Sequence, residues 1–231
     1  MVLENRFNKL IEARHGTILY NKNDIYIGKS IEKYGEFSYL EAKIFEQICK
    51  DGDVVIEVGA NIGAHTLYLS KLVGNGFVFA FEPQRLVFQN LCANLALNSI
   101  SNVFAYQEAV SNENGTIIIP ECNFKENNNF GGINIENTKN GTTVNKQKLD
   151  NFLNKIDRLK LLKIDVEGME ISVIKGASEL IKKFRPMIYV ENDRQEHSKE
   201  LIELLWSLDY KMYWHLPKLY NENNFFNDKE N

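Results

Sequence analysis

The sequence predicts an α/β protein with a mostly parallel sheet covered by helices on both faces, and three observations carry that prediction. Short, wholly apolar runs recur along the chain, amphipathic stretches separate them, and turn-forming residues mark the junctions. Parallel strands need crossover helices and are buried on both faces, so they read as continuous apolar runs. A chain of 231 residues, 44% hydrophobic and 25% charged, is long enough to close one such core. That average composition excludes a disordered tract, a collagenous repeat or a disulfide scaffold. Residues 1–231 are therefore read as one domain, with an N-terminal extension (1–50), a core (51–216) and a polar tail (217–231).

The elements follow in order. Residues 17–20 and 25–27 are β-like and flank the polar stretch Asn21-Lys22-Asn23-Asp24, which predicts an N-terminal hairpin. Over 36–50, Phe37, Leu40, Ile44, Phe45 and Ile48 recur at spacings of three and four, a helical stripe that Asp51-Gly52 ends. Residues 54–58 then read as strand, 62–72 as helix, 77–81 as strand and 86–97 as helix, with Val87, Leu91 and Leu95 on one stripe. The alternation resumes with strands at 103–106, 159–164 and 186–190 and helices at 169–182 and 196–208. Between 115 and 145 the chain is rich in Asn, Gly and Thr, with a β-type run at 116–119, and reads as an inserted β excursion. The whole is a Rossmann-like arrangement.

Composition narrows the partners. A formal net charge of −4 offers no general attraction to nucleic acid or to an anionic membrane. No run approaches the roughly 18 apolar residues of a membrane span, and the N-terminus lacks a signal-peptide pattern, so the cytoplasm is the expected compartment. Of the three cysteines, Cys49 and Cys92 sit inside amphipathic patterns and read as buried free thiols.

The densest motif is Glu57-Val58-Gly59-Ala60-Asn61-Ile62-Gly63, a strand that runs into a glycine turn and then a helix. Open parallel sheets bind nucleotides at such carboxyl ends, and Gly59 and Gly63 allow a tight turn and close approach of a ligand to the backbone of Ala60 and Asn61. A pyrophosphate-binding turn favours G-x-G-x-x-G. Here an acidic residue leads into Gly-x-x-x-Gly, and Glu57 suits a ligand bearing an ammonium and a sulfonium better than a pyrophosphate. Glu82 ends the next strand about 20 residues on, where a carboxylate accepts hydrogen bonds from ribose hydroxyls. Glu108, after the third strand, faces either the adenine edge or solvent.

Glu57-Val58-Gly59-Ala60-Asn61-Ile62-Gly63-Ala64-His65-Thr66, Phe81-Glu82-Pro83, Leu162-Lys163-Ile164-Asp165-Val166-Glu167-Gly168-Met169-Glu170 and Tyr189-Val190-Glu191-Asn192-Asp193-Arg194 together resemble the FkbM-type methyltransferases. The likeness runs from Tyr34-Gly35-Glu36 through Asn128-Asn129-Phe130-Gly131-Gly132 to Tyr213-Trp214-His215-Leu216-Pro217. It implies a class I methyltransferase fold, S-adenosylmethionine as donor, and O-methylation of a hydroxyl on a sugar, glycosylated or polyketide-like small molecule. The acceptor itself and the oligomeric state stay open.

Asp165 and Glu167 follow a buried strand at the sheet edge where Glu57 and Glu82 emerge. Carboxylates gathered this way repel unless hydrogen bonds, a cation or a raised pKa offsets them. Asp165 lies near the transferred methyl or the acceptor hydroxyl, or else caps the following helix; Glu167 competes for the first role. Glu191 completes the acceptor side or pairs with Arg194. His65 reads as packed at the cofactor helix, and His215 as a general base or as part of a Tyr213-Trp214 segment that closes the core. No metal is expected; a divalent ion on Asp165, Glu191 and a histidine suits oxygen ligands but has no diagnostic spacing. The rival functions are an NAD-dependent dehydrogenase, which Glu57 and the missing middle glycine disfavour, and a non-catalytic nucleotide-binding or partner-binding module.

Overall fold

The structure is a computed structural model that describes residues 3–133 and 140–230. The chain starts with three antiparallel strands, β1 (Leu3–Glu4), β2 (Asn8–Ala13) and β3 (Gly16–Asn21). Thus residues 17–20 do form a strand, but its partner is β2, and Ile27 opens helix α1 (Ile27–Tyr34) instead of a second β-run. Asp24 supplies the reason. Its Oδ1 accepts the Tyr26 N–H at 2.9 Å, an Asx turn that bends the chain into α1. Helix α2 (Tyr39–Ile48) begins later than its stripe suggested, because residues 36–38 are held as a loop by contacts described below.

The central sheet is built from β4 (Val54–Val58), β5 (Phe77–Phe81), β6 (Val103–Tyr106), β10 (Leu161–Ile164) and β11 (Met187–Val190), all parallel, in the order β11-β10-β4-β5-β6. Helices α3 (Ala64–Val73) and α4 (Arg85–Leu97) join the first three strands. The order reverses between β4 and β10, which is the switch point where such sheets bind ligands. Alternation along β4 sorts the core: Val54, Ile56 and Val58 pack with Leu162, Ile164, Val173 and Leu180, whereas Val55 faces Phe45, Leu69 and Val73. Burying each such side chain contributes about 1.5–3 kcal/mol.

After β6, β7 (Ala109–Val110), β8 (Gly115–Ile119) and β9 (Thr142–Gln147) form a small sheet in the order β7-β9-β8, so the excursion does contain strands. Residues 134–139 of the expected insertion lie outside the described residues. The single helix expected over 169–182 is two, α5 (Glu170–Gly176) and α6 (Ser178–Phe184), because Asp150 accepts the Glu179 and Leu180 N–H groups and starts a new helix there. Helix α7 (Gln195–Ser207) closes that face.

Three side-chain expectations change. Cys92 is exposed. Tyr213 and Trp214 do not close a core, being 88% and 71% exposed. The polar tail docks on the N-terminal extension: Glu36, fully buried in its side chain, pairs with Arg14 and accepts Asn221 Nδ2 at 3.0 Å and the Phe225 N–H at 3.1 Å. Among the described residues, no helix is long and apolar enough to cross a membrane.

Candidate active site

The glycine turn sits at the switch point because two loops meet there. A Cβ on Gly59, whose φ is +84°, would lie 1.7 Å from the Asp165 carbonyl oxygen, so only glycine lets the end of β4 pack on the end of β10. Gly59 and Ala60 donate their N–H groups to the Phe81 carbonyl. Gly63, at φ +86°, opens α3, and a Cβ there would meet Leu91 at 2.6 Å. Glu82, 3% exposed, braces the turn from β5: Oε2 accepts the Asn61 N–H at 3.0 Å and Oε1 the Gln84 N–H at 2.8 Å. Burial outweighs those two bonds and pushes its carboxyl up to about 7. Each oxygen keeps one further acceptor position.

Glu57 points elsewhere than the turn. It stands directly opposite Lys163 in the β4–β10 register, and Lys163 stands opposite Tyr189 on β11, so the three side chains share one face of the sheet. Glu57 Oε2 accepts from Thr66 Oγ1 at 2.6 Å, and Oε1 lies 3.7 Å from Lys163 Nζ. Burial raises its carboxyl to about 6 in spite of both partners. Lys163 is itself buried, and its Nζ also donates to Asp165 Oδ2 at 3.1 Å. Burial pulls this ammonium down, but Asp165, Glu57 and Glu41 together hold it above its ordinary value.

Asp165 is the reachable acid of the group, with 39% of its side chain accessible. Burial pushes its carboxyl up, yet Lys163 and a hydrogen bond from Glu191 win and keep it below the usual value. Glu191 goes the other way: burial, then the charges of Asp165, Glu167 and Asp193, drive it well above the carboxylate range, and its Oε2 is buried without a partner. The two carboxyls are thus pushed in opposite directions, Glu191 toward its protonated form and Asp165 toward its ionised one. Asp165 is no helix cap, because α5 starts at Glu170, which itself accepts the Val166 and Gly168 N–H groups.

Arg194 pairs with Glu167, and with Asp193 at 3.5 Å, where an ion pair to Glu191 was one expectation. Glu167 has φ +54° and so occupies the left-handed region, a backbone strain of about 1–3 kcal/mol that recurs at functional sites. Asp165, Glu167 and Glu191 each offer an oxygen within 4.8 Å of the others, a spacing suited to a hard divalent ion; among the described residues no histidine joins them. Lys163 and Arg194 already offset part of that charge.

His65 is 5% exposed between the rings of Phe37 and Phe45, and burial pushes its imidazole down to about 3, so it stays neutral. His215 Nδ1 lies 2.9 Å from the Tyr189 hydroxyl, which burial and then the charges of Glu41 and Asp165 push above its ordinary value; His215 thus stands beside the acid cluster across Tyr189. Glu108 accepts a hydrogen bond from Gln147 Nε2, tying the end of β6 to β9.

Sequence reading missed Lys163, Glu41, Tyr189, Tyr26 and the loop over the turn. Lys163 had a signal, a lysine inside an apolar strand two residues before Asp165. Tyr189 and the loop had only the family likeness as a signal, and Tyr26 and Glu41 had none, because they reach the sheet edge from α1 and α2, far along the chain. Asn129 Oδ1 accepts the Gly131 and Gly132 N–H groups, folding this loop beside Asn61 and Glu167.

Comparison with known proteins gives this geometry its context. The chain is 28% identical over 181 residues to the methyltransferase sdnD of Sordaria araneosa, across 62% of this chain and 70% of that protein. It is 25% identical over 178 residues to the hexuronic acid methyltransferase AglP of Haloferax volcanii, across 76% and 70%. Among solved structures, precorrin 8w decarboxylase of Methanobacterium thermoautotrophicum aligns with a TM-score of 0.47 at 16% identity, over 74% of this chain and 72% of that one. The methyltransferase FkbM domain matches residues 57–212, a span that holds the glycine turn with Asp165, Glu167 and Glu191 and leaves out only His215 among the expected site residues; the chain belongs to that family of methyltransferases.

Proposed function

We propose that this methyltransferase uses S-adenosylmethionine to methylate a hydroxyl oxygen of a sugar or other small glycosylated or polyketide-like molecule. One observation carries the reading: the Gly59 turn and the Asp165–Glu191 pair open on the same rim, in backbone contact with each other. A nucleoside fits the residues present. Glu82 retains free acceptor positions for ribose hydroxyls, and Glu108 stands after β6 for the adenine edge. The cofactor supplies an activated methyl on a positively charged sulfur.

The chain's own part is orientation and one proton. Lys163 keeps Asp165 ionised, so that Asp165 Oδ accepts the proton of the acceptor hydroxyl. Glu191, protonated, holds Asp165 by a hydrogen bond. Glu57 contributes indirectly, by fixing Lys163 from below. His215 is the second candidate base, acting across Tyr189. The hexuronic acid methyltransferase among its relatives supports a sugar acceptor.

Calorimetric titration with S-adenosylmethionine and with NAD, followed by a methyl-transfer assay on sugars and glycosylated metabolites, tests the reading. Binding of S-adenosylmethionine alone, with transfer to a hydroxyl, is expected. Binding of NAD instead, or transfer to nitrogen or carbon only, overturns it.

A further inference from the structure

Beside the acid rim lies a groove of about 450 Å³, within the size range of small-molecule sites. One wall is a single face of α1 with the residue before it, Tyr26, Lys29, Lys33 and Tyr34; the other is the segment carrying Lys218 and Tyr220. Three ammonium groups therefore line one open space on a chain whose net charge is −4. Lys29 and Lys33 are one helical turn apart, a like-charge spacing that destabilises a helix. Among the described residues the one carboxylate near Lys33 is that of Glu230, 3.9 Å away and 87% exposed in its side chain, and its Nζ also lies over the Tyr34 ring at 5.3 Å. Lys29 and Lys218 are exposed and have no carboxylate within 4.0 Å among the described residues. Nothing in the fold of the described residues accounts for this cluster, and an anion in the groove relieves its repulsion.

Tyr26 links the groove to the chemistry. Its ring, 47% exposed, is part of the groove wall and is braced edge-on by Phe37 at 5.9 Å. Its hydroxyl is within the field of the rim acids: burial first, then Glu191, Glu41, Asp165 and Glu167, raise it above its ordinary value. Tyr26 thus lines a groove that carries positive charge and lies within electrostatic reach of the rim acids. That polarity fits a molecule with a neutral hydroxyl at one end and an oxyanion at the other, its ring lying against Tyr26.

We infer that the groove between α1 and residues 218–220 is an anion-binding subsite of the acceptor, in which Lys29, Lys33 and Lys218 hold a phosphate or carboxylate group of a sugar whose hydroxyl lies at Asp165. This deepens the proposed function and rests on it for the position of the hydroxyl, but not for the anion site. The acceptor is accordingly an anionic sugar, either a sugar phosphate or diphosphate or a uronic acid.

The test uses the full chain saturated with S-adenosylmethionine, so that the cofactor turn is blocked, and titrates it at low salt with inorganic pyrophosphate and, separately, with glucuronate. At least one anion is expected to bind, and Lys29→Ala with Lys218→Ala to weaken it about tenfold, the loss for two exposed charge contacts of about 0.7 kcal/mol each. Preference for pyrophosphate assigns a phosphate-bearing acceptor, and preference for glucuronate a uronic acid. Cofactor affinity is expected to be unchanged in the double variant, since neither lysine touches the turn. Binding of neither anion by the native chain, or equal binding by the double variant, overturns the subsite. Failure of S-adenosylmethionine to bind at all is a separate result and strikes the proposed function alone; the anion titration is then read on the unliganded chain.

Discussion

At the scale of single residues, the charge balance of the rim decides what can be tested. Asp165→Asn removes the proton acceptor while keeping its shape, so turnover is expected to fall about a hundredfold or more with S-adenosylmethionine affinity nearly intact. Normal turnover in a folded variant removes Asp165 from the chemistry. Lys163→Met leaves Glu57 and Asp165 without their buried cation, which is expected to destabilise the fold by about 3–5 kcal/mol, read by denaturant titration. Glu82 carries the pH dependence. Its carboxyl sits at about 7 in the fold against an ordinary value of 4.5, so the native state keeps a proton that the unfolded chain loses. Stability from this group is full below about pH 4.5 and declines as pH rises to about 7, and Glu57, at about 6, acts in the same direction. The buried His65 and His15, pushed down to about 3 and about 4, act in the opposite direction up to about pH 6.5, so the test is the difference between variants: the melting temperature of Glu82→Gln should fall less, or rise more, with pH across that window than that of the native chain. Cofactor affinity should rise over the same window, because ribose hydroxyls donate to the ionised form. An affinity flat with pH in the native chain excludes Glu82 as the ribose ligand.

At the scale of elements, the strand ends matter more than the strands. The meeting of β4 and β10 leaves no room for a side chain at Gly59, since the obstacle is the Asp165 backbone and not a mobile side chain. Gly59→Ala is accordingly expected to cost several kcal/mol and to abolish cofactor binding. Gly52 is the control: it has the same φ of +84° and nothing within 4 Å of an added Cβ, so Gly52→Ala should lose only about 1–2 kcal/mol, the left-handed strain itself. Equal losses at the two positions, measured by urea unfolding, contradict the close approach. The N-terminal hairpin shows another kind of control by an element. Two asparagines, Asn94 on α4 and Asn98 just past its C-terminus, bond the backbone of Leu19 and Thr17; these side-chain amides take the place of a further strand along β3. No periodicity in residues 17–20 announces that edge.

At the scale of the whole molecule, Glu36 joins the ends of the described chain. Arg14 from the hairpin turn and Asn221 and Phe225 from the tail all converge on its buried carboxylate. Glu36→Ala leaves Arg14 without its carboxylate and the tail donors Asn221 Nδ2 and the Phe225 N–H without their acceptor, and is expected to destabilise the protein by about 3 kcal/mol. Amide exchange in residues 221–228 should accelerate more than in the central sheet. Uniform acceleration over both regions argues that the tail has no separate docking. Because Lys218 and Tyr220 precede the docked residues, this anchor also holds one wall of the anion groove in place.

The sequence alone determined the central sheet, with β4, β5 and β6 bounded as their apolar runs suggested, and it brought Glu57, Gly59, Glu82 and Asp165 to one edge. Burial on both faces imposes a continuous hydrophobic signal, and the carboxyl ends of parallel strands lie on one side by construction. Only the tertiary structure decided what each acid does there. Glu57 turned to Lys163 and Thr66, Arg194 went to Glu167, and Asp165 and Glu191 were pushed in opposite directions, one toward ionised and the other toward protonated. A carboxylate's protonation depends on the cations, amides and burial that surround it in space, and α1, α2, β11 and the loop at 129–132 deliver those from positions that no local pattern relates to one another.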